Sequence, residues 1–272
     1  MMTTNALLQG CICLLLVYLS EYQYLLPTGP YGVGHRQTVL SGKNTPPVSV
    51  YYPIDREEYE NNIDDYTKTS SFCLNGDKDI QGFKVGLPTI RKISSNSEII
   101  KAIVFGFVEF LNLELNELLH YQLQAINGVK IHKDFKKNGK KLTPVIISHG
   151  LLGNSTFLFS FASHLASYGC IVYCPTHTDT SSNYFKDKSS KPQKDVFFEN
   201  YDDKKHNVIE PLFRKRLLEC RIQDIKQTIE YVKVDSKKNS INLNKLVAFG
   251  HSMGGLTSVE MTKRFQTDFK IC

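Results

Sequence analysis

No CxxC pair occurs in this chain of 272 residues, and its seven cysteines are odd in number, which argues against a zinc site or a disulfide framework. No aromatic-interleaved basic motif or groove-reading module is present, so no nucleic-acid partner is expected. Nothing points to a metal or a cofactor, and no internal repeat is visible. A confident membrane span is also missing. The apolar stretch Ala6–Leu19 is short and interrupted by Gln9 and Gly10. Residues 1–25 therefore read as an N-terminal apolar segment closer to the h-region of a signal peptide. Yet no Lys or Arg precedes that segment, and Tyr18-Leu19-Ser20 makes a poor cleavage site, so the sequence sets no compartment.

What is present suits a folded domain. Hydrophobic residues at 41% and charged residues at 22% are ordinary for a globular protein, enough to bury the core of one large α/β domain over 26–272. The net charge of +6 is spread over lysine runs at 133–141, 186–194, 204–205 and 237–238, which read as solvated faces. Cys170 and Cys174 sit in an apolar run and read as buried thiols. The one sequon, Asn154-Ser155-Thr156, lies where a glycan would block the site described below, so it says nothing for secretion.

Residues 36–42 and 47–53 read as two strands about a turn, and the polar stretch 55–98 as loop with short elements. Apolar residues spaced as a helical stripe run from Ile99 to Leu119, interrupted by Glu109, Glu114 and Glu117. That helix either packs on the domain or lays Phe105, Phe107 and Phe110 against a lipid surface. From Pro144 onward, strand and helix alternate. Pro144–Ser148 is an apolar strand, Thr156–Ser167 a helix capped by Ser155 or Thr156, and Cys170–Cys174 the next strand. From Leu218, apolar residues at 218, 222, 225, 229 and 232 mark a helix, and Lys245–Gly250 reads as another buried strand. Such alternation predicts a mostly parallel sheet flanked by helices.

Gly250-His251-Ser252-Met253-Gly254 follows that last strand and opens a helix through Arg264. Gly-x-Ser-x-Gly in this context is the nucleophile elbow of α/β-hydrolases, a strained turn that lifts the serine hydroxyl at a helix N-terminus. Gly250 and Gly254 are required because side chains there would strike the neighbouring strand and helix. Ser252 is the expected nucleophile, with the backbone N–H groups of Met253 and of Leu151, in the loop after the earlier strand, as oxyanion donors. His149 reads as a residue that shapes this loop, and His251 as pointing away from the serine. His177 stands two strand spacings, roughly 10 Å, from Ser252 and is not expected to act as base. The usual order is serine, acid, histidine. After Ser252 only Asp268, too early for that role, and no histidine occur, so the triad acid and base are expected outside this chain.

From about Leu26 to its last residue, the chain resembles the platelet-activating factor acetylhydrolases, or group VII phospholipases A2. The likeness rests on Leu26-Pro27-Thr28-Gly29-Pro30-Tyr31-Gly32-Val33-Gly34, Ser148-His149-Gly150-Leu151, and His164-Leu165-Ala166-Ser167-Tyr168-Gly169 followed by His177-Thr178-Asp179. Tyr184-Phe185-Lys186-Asp187, Arg216 through Glu219-Cys220, and Gly250-His251-Ser252-Met253-Gly254-Gly255 complete it. Met253 stands where the family usually has an aromatic. The resemblance implies an α/β-hydrolase fold that stops short after the elbow and its helix, ahead of the family's catalytic aspartate and histidine. It also implies calcium-independent hydrolysis of a short or oxidised sn-2 acyl group from a phospholipid, through an acyl-Ser252 intermediate. The helix at 99–119 would then meet a membrane or lipoprotein surface. Two alternatives stay open: an inactive form that binds lipid or protein, and another α/β-hydrolase carboxylesterase or thioesterase.

Overall fold

The computed structural model describes residues 27–40, 45–90, 119–135, 139–188, 190–199 and 210–269. β1 (Gly32–Val39) and β2 (Pro47–Ile54) form an antiparallel hairpin rich in Val and Tyr, as their composition predicts. β2 is nearly all buried because it lies between β1 and β6 (Cys170–Pro175). Beyond β1 come β4 (Gln122–Asn127), parallel to it, and the short β3 (Thr69–Ser71). Beyond β6 come β5 (Thr143–Ser148) and β9 (Val247–Gly250), all three parallel. The seven-stranded sheet thus runs β3-β4-β1-β2-β6-β5-β9, a mixed sheet of α/β-hydrolase class.

The parallel end is where the apolar runs were longest, and for the same reason. Val145, Ile146 and Ile147 of β5 are at most 3% exposed, since a central strand is covered on both faces and has no use for alternation. Around it pack α3 (Phe159–Ser167) against β2 and β6, α4 (Glu210–Asp235) against β6, and α5 (Met253–Arg264) against β5 and β9. The buried stripe of α4 is Ile222, Ile225, Ile229 and Val232, each worth about 1.5–3 kcal/mol of apolar burial.

Several boundaries differ from the sequence reading. The stretch 55–98 holds more than loop: α1 (Arg56–Glu60), capped by Asp55, then β3, then α2 (Asp77–Ile90). The strand expected at 36–42 starts at Gly32, and α4 starts at Glu210 rather than Leu218. β4 and the hairpin of β7 (Tyr184–Asp187) and β8 (Lys194–Phe197) are additional strands. The expected cap on α3 does not form. The Thr156 hydroxyl lies 2.8 Å from both the Phe72 carbonyl and Asn154 Oδ1, with one proton to give between them, and the helix begins at Phe159 without a side-chain cap. Leu243–Lys245 makes a 3-10 turn, and β9 is half-buried rather than buried, for β5 is its only pairing among the described residues. Cys174 is buried as expected, whereas Cys170 is half-buried at the first position of its strand. The stripe at 99–119, save Leu119, and residues 1–25 lie outside the described residues. No described helix is long and apolar enough to cross a membrane.

The C-terminal end of α4 is tied back to the sheet through Asp235. Its carboxylate accepts from Arg36 Nη2 at 2.6 Å, Tyr173 Oη at 2.7 Å and Asn239 Nδ2 at 2.8 Å. Asp235→Ala takes the carboxylate from the half-buried Arg36 guanidinium and the acceptor from the Tyr173 hydroxyl at once. It should lower unfolding free energy by roughly 2–4 kcal/mol in a urea titration.

Candidate active site

Where β9 gives way to α5, Ser252 adopts φ 56° and ψ −123°, a conformation L-residues rarely take, and its side chain is exposed. The turn is forced by close packing. A side chain at Gly250 would overlap the Gly254 carbonyl, and one at Gly254 would overlap the Ser148 carbonyl of β5. Both glycines behave as the motif predicts. With no Cβ in the way, α5 presses against β5, and the chain must double back through Ser252 to reach it. Non-glycine residues in strained conformations cluster at functional sites. The two others with positive φ among the described residues, Leu152 at 61° and Thr180 at 66°, lie in the loops following β5 and β6.

The loop after β5 meets the turn at Gly150, where a Cβ would stand 3.2 Å from Ser252 Cβ and 3.4 Å from His251 Nδ1. Strand alternation does not decide the direction of His251, because β9 ends one residue before it. No hydrogen bond joins it to Ser252. The N–H groups of Leu151 and Met253 take part in none of the hydrogen bonds of the described residues, whereas that of Leu152 donates to the Ser181 carbonyl at 2.7 Å. Asn154, the sequon residue, is buried and accepts from the Thr156 N–H at 3.0 Å, so it shapes the loop from within.

Behind the loop lies a buried polar network. His149 Nε2 accepts from the His177 N–H at 3.1 Å, which assigns its proton to Nδ1, and that N–H donates to the Gly150 carbonyl at 2.7 Å. Burial, and secondarily Arg221, lower its pKa to about 3, so it stays neutral and holds backbone. Arg221 of α4 is fully buried. It pairs with Asp179 through Nε at 2.8 Å and donates to the carbonyls of His149 (Nη1, 2.6 Å) and Gly150 (Nη2, 3.3 Å) and to Ser181 Oγ. His177 touches Ser148 Oγ through Nε2 at 2.8 Å and Asp224 Oδ2 through Nδ1 at 3.2 Å. Burial drives His177 well below its usual range and pushes the Asp224 carboxyl up to about 8, against the hydrogen bonds from Thr178.

The expected residues thus come together in part. Ser252, Leu151 and Met253 share one rim, with His149 behind them. His177 stands apart, since the order β6-β5-β9 keeps two strand spacings between it and Ser252. Asp268 pairs with Lys233 at 2.9 Å. The sequence reading missed Arg221, Asp224 and the pairing of Asp179. A signal existed: Arg221 is three residues after Leu218 and four before Ile225, a charge on the buried stripe of α4. No group of three or more potential metal ligands occurs among the described residues.

Comparison with known proteins bears on the family and the fold. The family model for platelet-activating factor acetylhydrolase, isoform II, matches residues 101–272. The platelet-activating factor acetylhydrolase of Canis lupus familiaris is 26% identical over 182 residues, covering 59% of this chain and 41% of that protein. The one of Bos taurus is 27% identical over 144 residues, covering 46% of this chain and 32% of that protein. The chain therefore spans less than half the length of these relatives. A ferulic acid esterase from Streptomyces cinnamoneus superposes with a TM-score of 0.53 at 14% identity, over 89% of this chain and 58% of that one, a likeness of fold alone.

The network carries a pH signature. Folded Asp224 keeps its proton to about pH 8, while the unfolded carboxyl loses it near 3.8, so folding becomes less favourable as pH rises between those values. His35 and His149, both depressed to about 3 from 6.5, act in the opposite sense but only below 6.5. Between pH 6.5 and 8 the Asp224 effect dominates among the described residues, worth roughly 1–2 kcal/mol. Thermal melts should lose midpoint across that window in the native protein and stay nearly flat in Asp224→Asn.

Proposed function

This chain belongs to the platelet-activating factor acetylhydrolase family, isoform II, and on that premise we propose that it carries the nucleophile of a calcium-independent serine esterase acting on phospholipids. The favoured substrate has a short or oxidised sn-2 acyl group. The observation that carries the reading is the strained, exposed Ser252 at the strand-to-helix turn, beside a loop whose Leu151 N–H is unengaged.

Ser252 Oγ attacks the sn-2 carbonyl carbon and gives up its proton to a base outside the described residues. The carbonyl oxygen takes the negative charge and receives the N–H groups of Leu151 and Met253, each donor of this type worth roughly 3–4 kcal/mol in the transition state. Collapse expels the lysophospholipid, whose sn-2 oxygen regains the proton, and leaves acyl-Ser252. Water then attacks the ester, releasing the short acid and restoring the serine. No step calls for a metal. Residues 99–119 supply the contact with a membrane or lipoprotein surface.

The test uses the full-length protein, phospholipids with acetyl or palmitoyl at sn-2, and a fluorophosphonate probe. Acetyl release should persist in excess EDTA, exceed palmitate release, and fall by about 10⁴-fold or more in Ser252→Ala, with loss of probe labelling. Lipid binding without turnover, indifferent to Ser252→Ala, would replace this reading with a binding protein. Preference for simple esters or thioesters would move it to another hydrolase class.

A further inference from the structure

The Gly150–Leu151 peptide is held from one side and free on the other. Its carbonyl accepts from three donors: His149 Nδ1 at 2.7 Å, Arg221 Nη2 at 3.3 Å and the Gly153 N–H at 3.4 Å. The preceding carbonyl, of His149, accepts from Arg221 Nη1 at 2.6 Å. In a planar trans peptide the C=O of one residue and the N–H of the next point in opposite directions. Pulling the Gly150 carbonyl into the protein therefore turns the Leu151 N–H outward. The same residue lies beside the nucleophile, since a Cβ added to Gly150 would stand 3.2 Å from Ser252 Cβ.

We infer that Arg221 and His149 are positioning residues that aim the Leu151 N–H at the oxyanion formed on the substrate of Ser252. This rests on the esterase reading above and adds to it the groups that hold the donor in place. Arg221 is suited to the task because Asp179 fixes its Nε edge and leaves the other edge for the two carbonyls, the planar fork spanning both as an ammonium cannot. His149 is suited because the His177 N–H occupies Nε2 and so commits the proton to Nδ1. Neither side chain touches substrate. Each acts only through the orientation of one peptide.

Two substitutions at 149 separate positioning from bulk stability. In His149→Asn the amide nitrogen occupies the place of Nδ1 and can still donate to the Gly150 carbonyl, but the His177 N–H loses its acceptor. In His149→Gln the long side chain reaches the place of Nε2 and satisfies His177, while the Gly150 carbonyl loses its shortest donor. Both should cost stability. The full-length esterase should lose about 10²-fold in kcat as His149→Gln with KM within about twofold, and no more than about tenfold as His149→Asn. Arg221→Lys, which keeps the charge beside Asp179, should lose kcat by about tenfold or more, again with little change in KM. Crystal structures of the same variants give a readout free of turnover. The Gly150–Leu151 peptide should rotate in His149→Gln and keep its orientation in His149→Asn. Activity that simply follows melting temperature across the three variants, or a peptide unmoved in both His149→Gln and Arg221→Lys, overturns the inference. A native protein without turnover sinks the esterase reading instead, and peptide orientation still decides this one.

Discussion

A guanidinium with no access to solvent is the constraint around which this site is organised. Placing a charge in the interior costs many kcal/mol unless every donor and the charge itself are met. Arg221 is met by the Asp179 carboxylate, two backbone carbonyls and a serine hydroxyl, which come from the loops after β5 and β6. Those partners are geometric demands in return. The two loops and α4 can adopt only arrangements that keep all of them within reach, so one buried cation fixes three separate segments against one another. Leu152 and Thr180 accept left-handed backbone as part of the same arrangement, each on one of the two loops. Strain of order 1–3 kcal/mol per residue persists only where surroundings over-determine the conformation, and the Arg221 network does so here.

A second constraint meets the first from the opposite direction. Gly254 lets the first turn of α5 rest on the carbonyls of Ser148 and His149, and the His149 carbonyl is one that Arg221 also holds. The helix that displays Ser252 and the loop that carries Leu151 are thus referenced to the same few backbone atoms. Their relative placement rests on direct backbone contact and on the buried, fully paired Arg221 fork. That is the kind of preorganisation an oxyanion site needs, because donors that must reorient during the reaction lose most of their value.

The legible parts of the fold were those where one physical rule dominated. β5 and β6 declared themselves as apolar runs, Pro144–Ile147 and Ile171–Cys174, because burial on both faces favours apolar side chains at every position. The elbow was legible because close approach admits only glycine at 250 and 254. β4 was not, since Gln122 and Gln124 alternate with Leu123 and Ala125 over too few residues to stand out from the polar stretch around it. The start of α4 was obscured for a related reason. Its early turns carry Arg214, Lys215 and Arg216, which face outward enough to mask the first buried positions, Phe213 and Leu217. Arg221 is hidden differently: the apolar period through 218, 222 and 225 dominates the pattern, and one charge on the same face does not disturb it. A charged residue on a buried stripe has to be matched by something, and asking by what would have led to Asp179.

Composition alone would favour the wrong serine. Ser148, His177 and Asp224 form a hydrogen-bonded chain of the residue types that make a catalytic triad, at 2.8 and 3.2 Å, while Ser252 meets no histidine among the described residues. Physical state reverses the preference. Ser148 and His177 are fully buried, so no ester reaches them. Burial pushes the Asp224 carboxyl up to about 8, which favours its uncharged form at neutral pH. An uncharged carboxyl offers no counter-charge to an imidazolium, which burial already disfavours. The chain of contacts braces β5 against β6 and α4. Chemistry needs a hydroxyl that is exposed and lifted by a strained backbone beside unengaged N–H groups, and among the described residues Ser252 is where those conditions coincide.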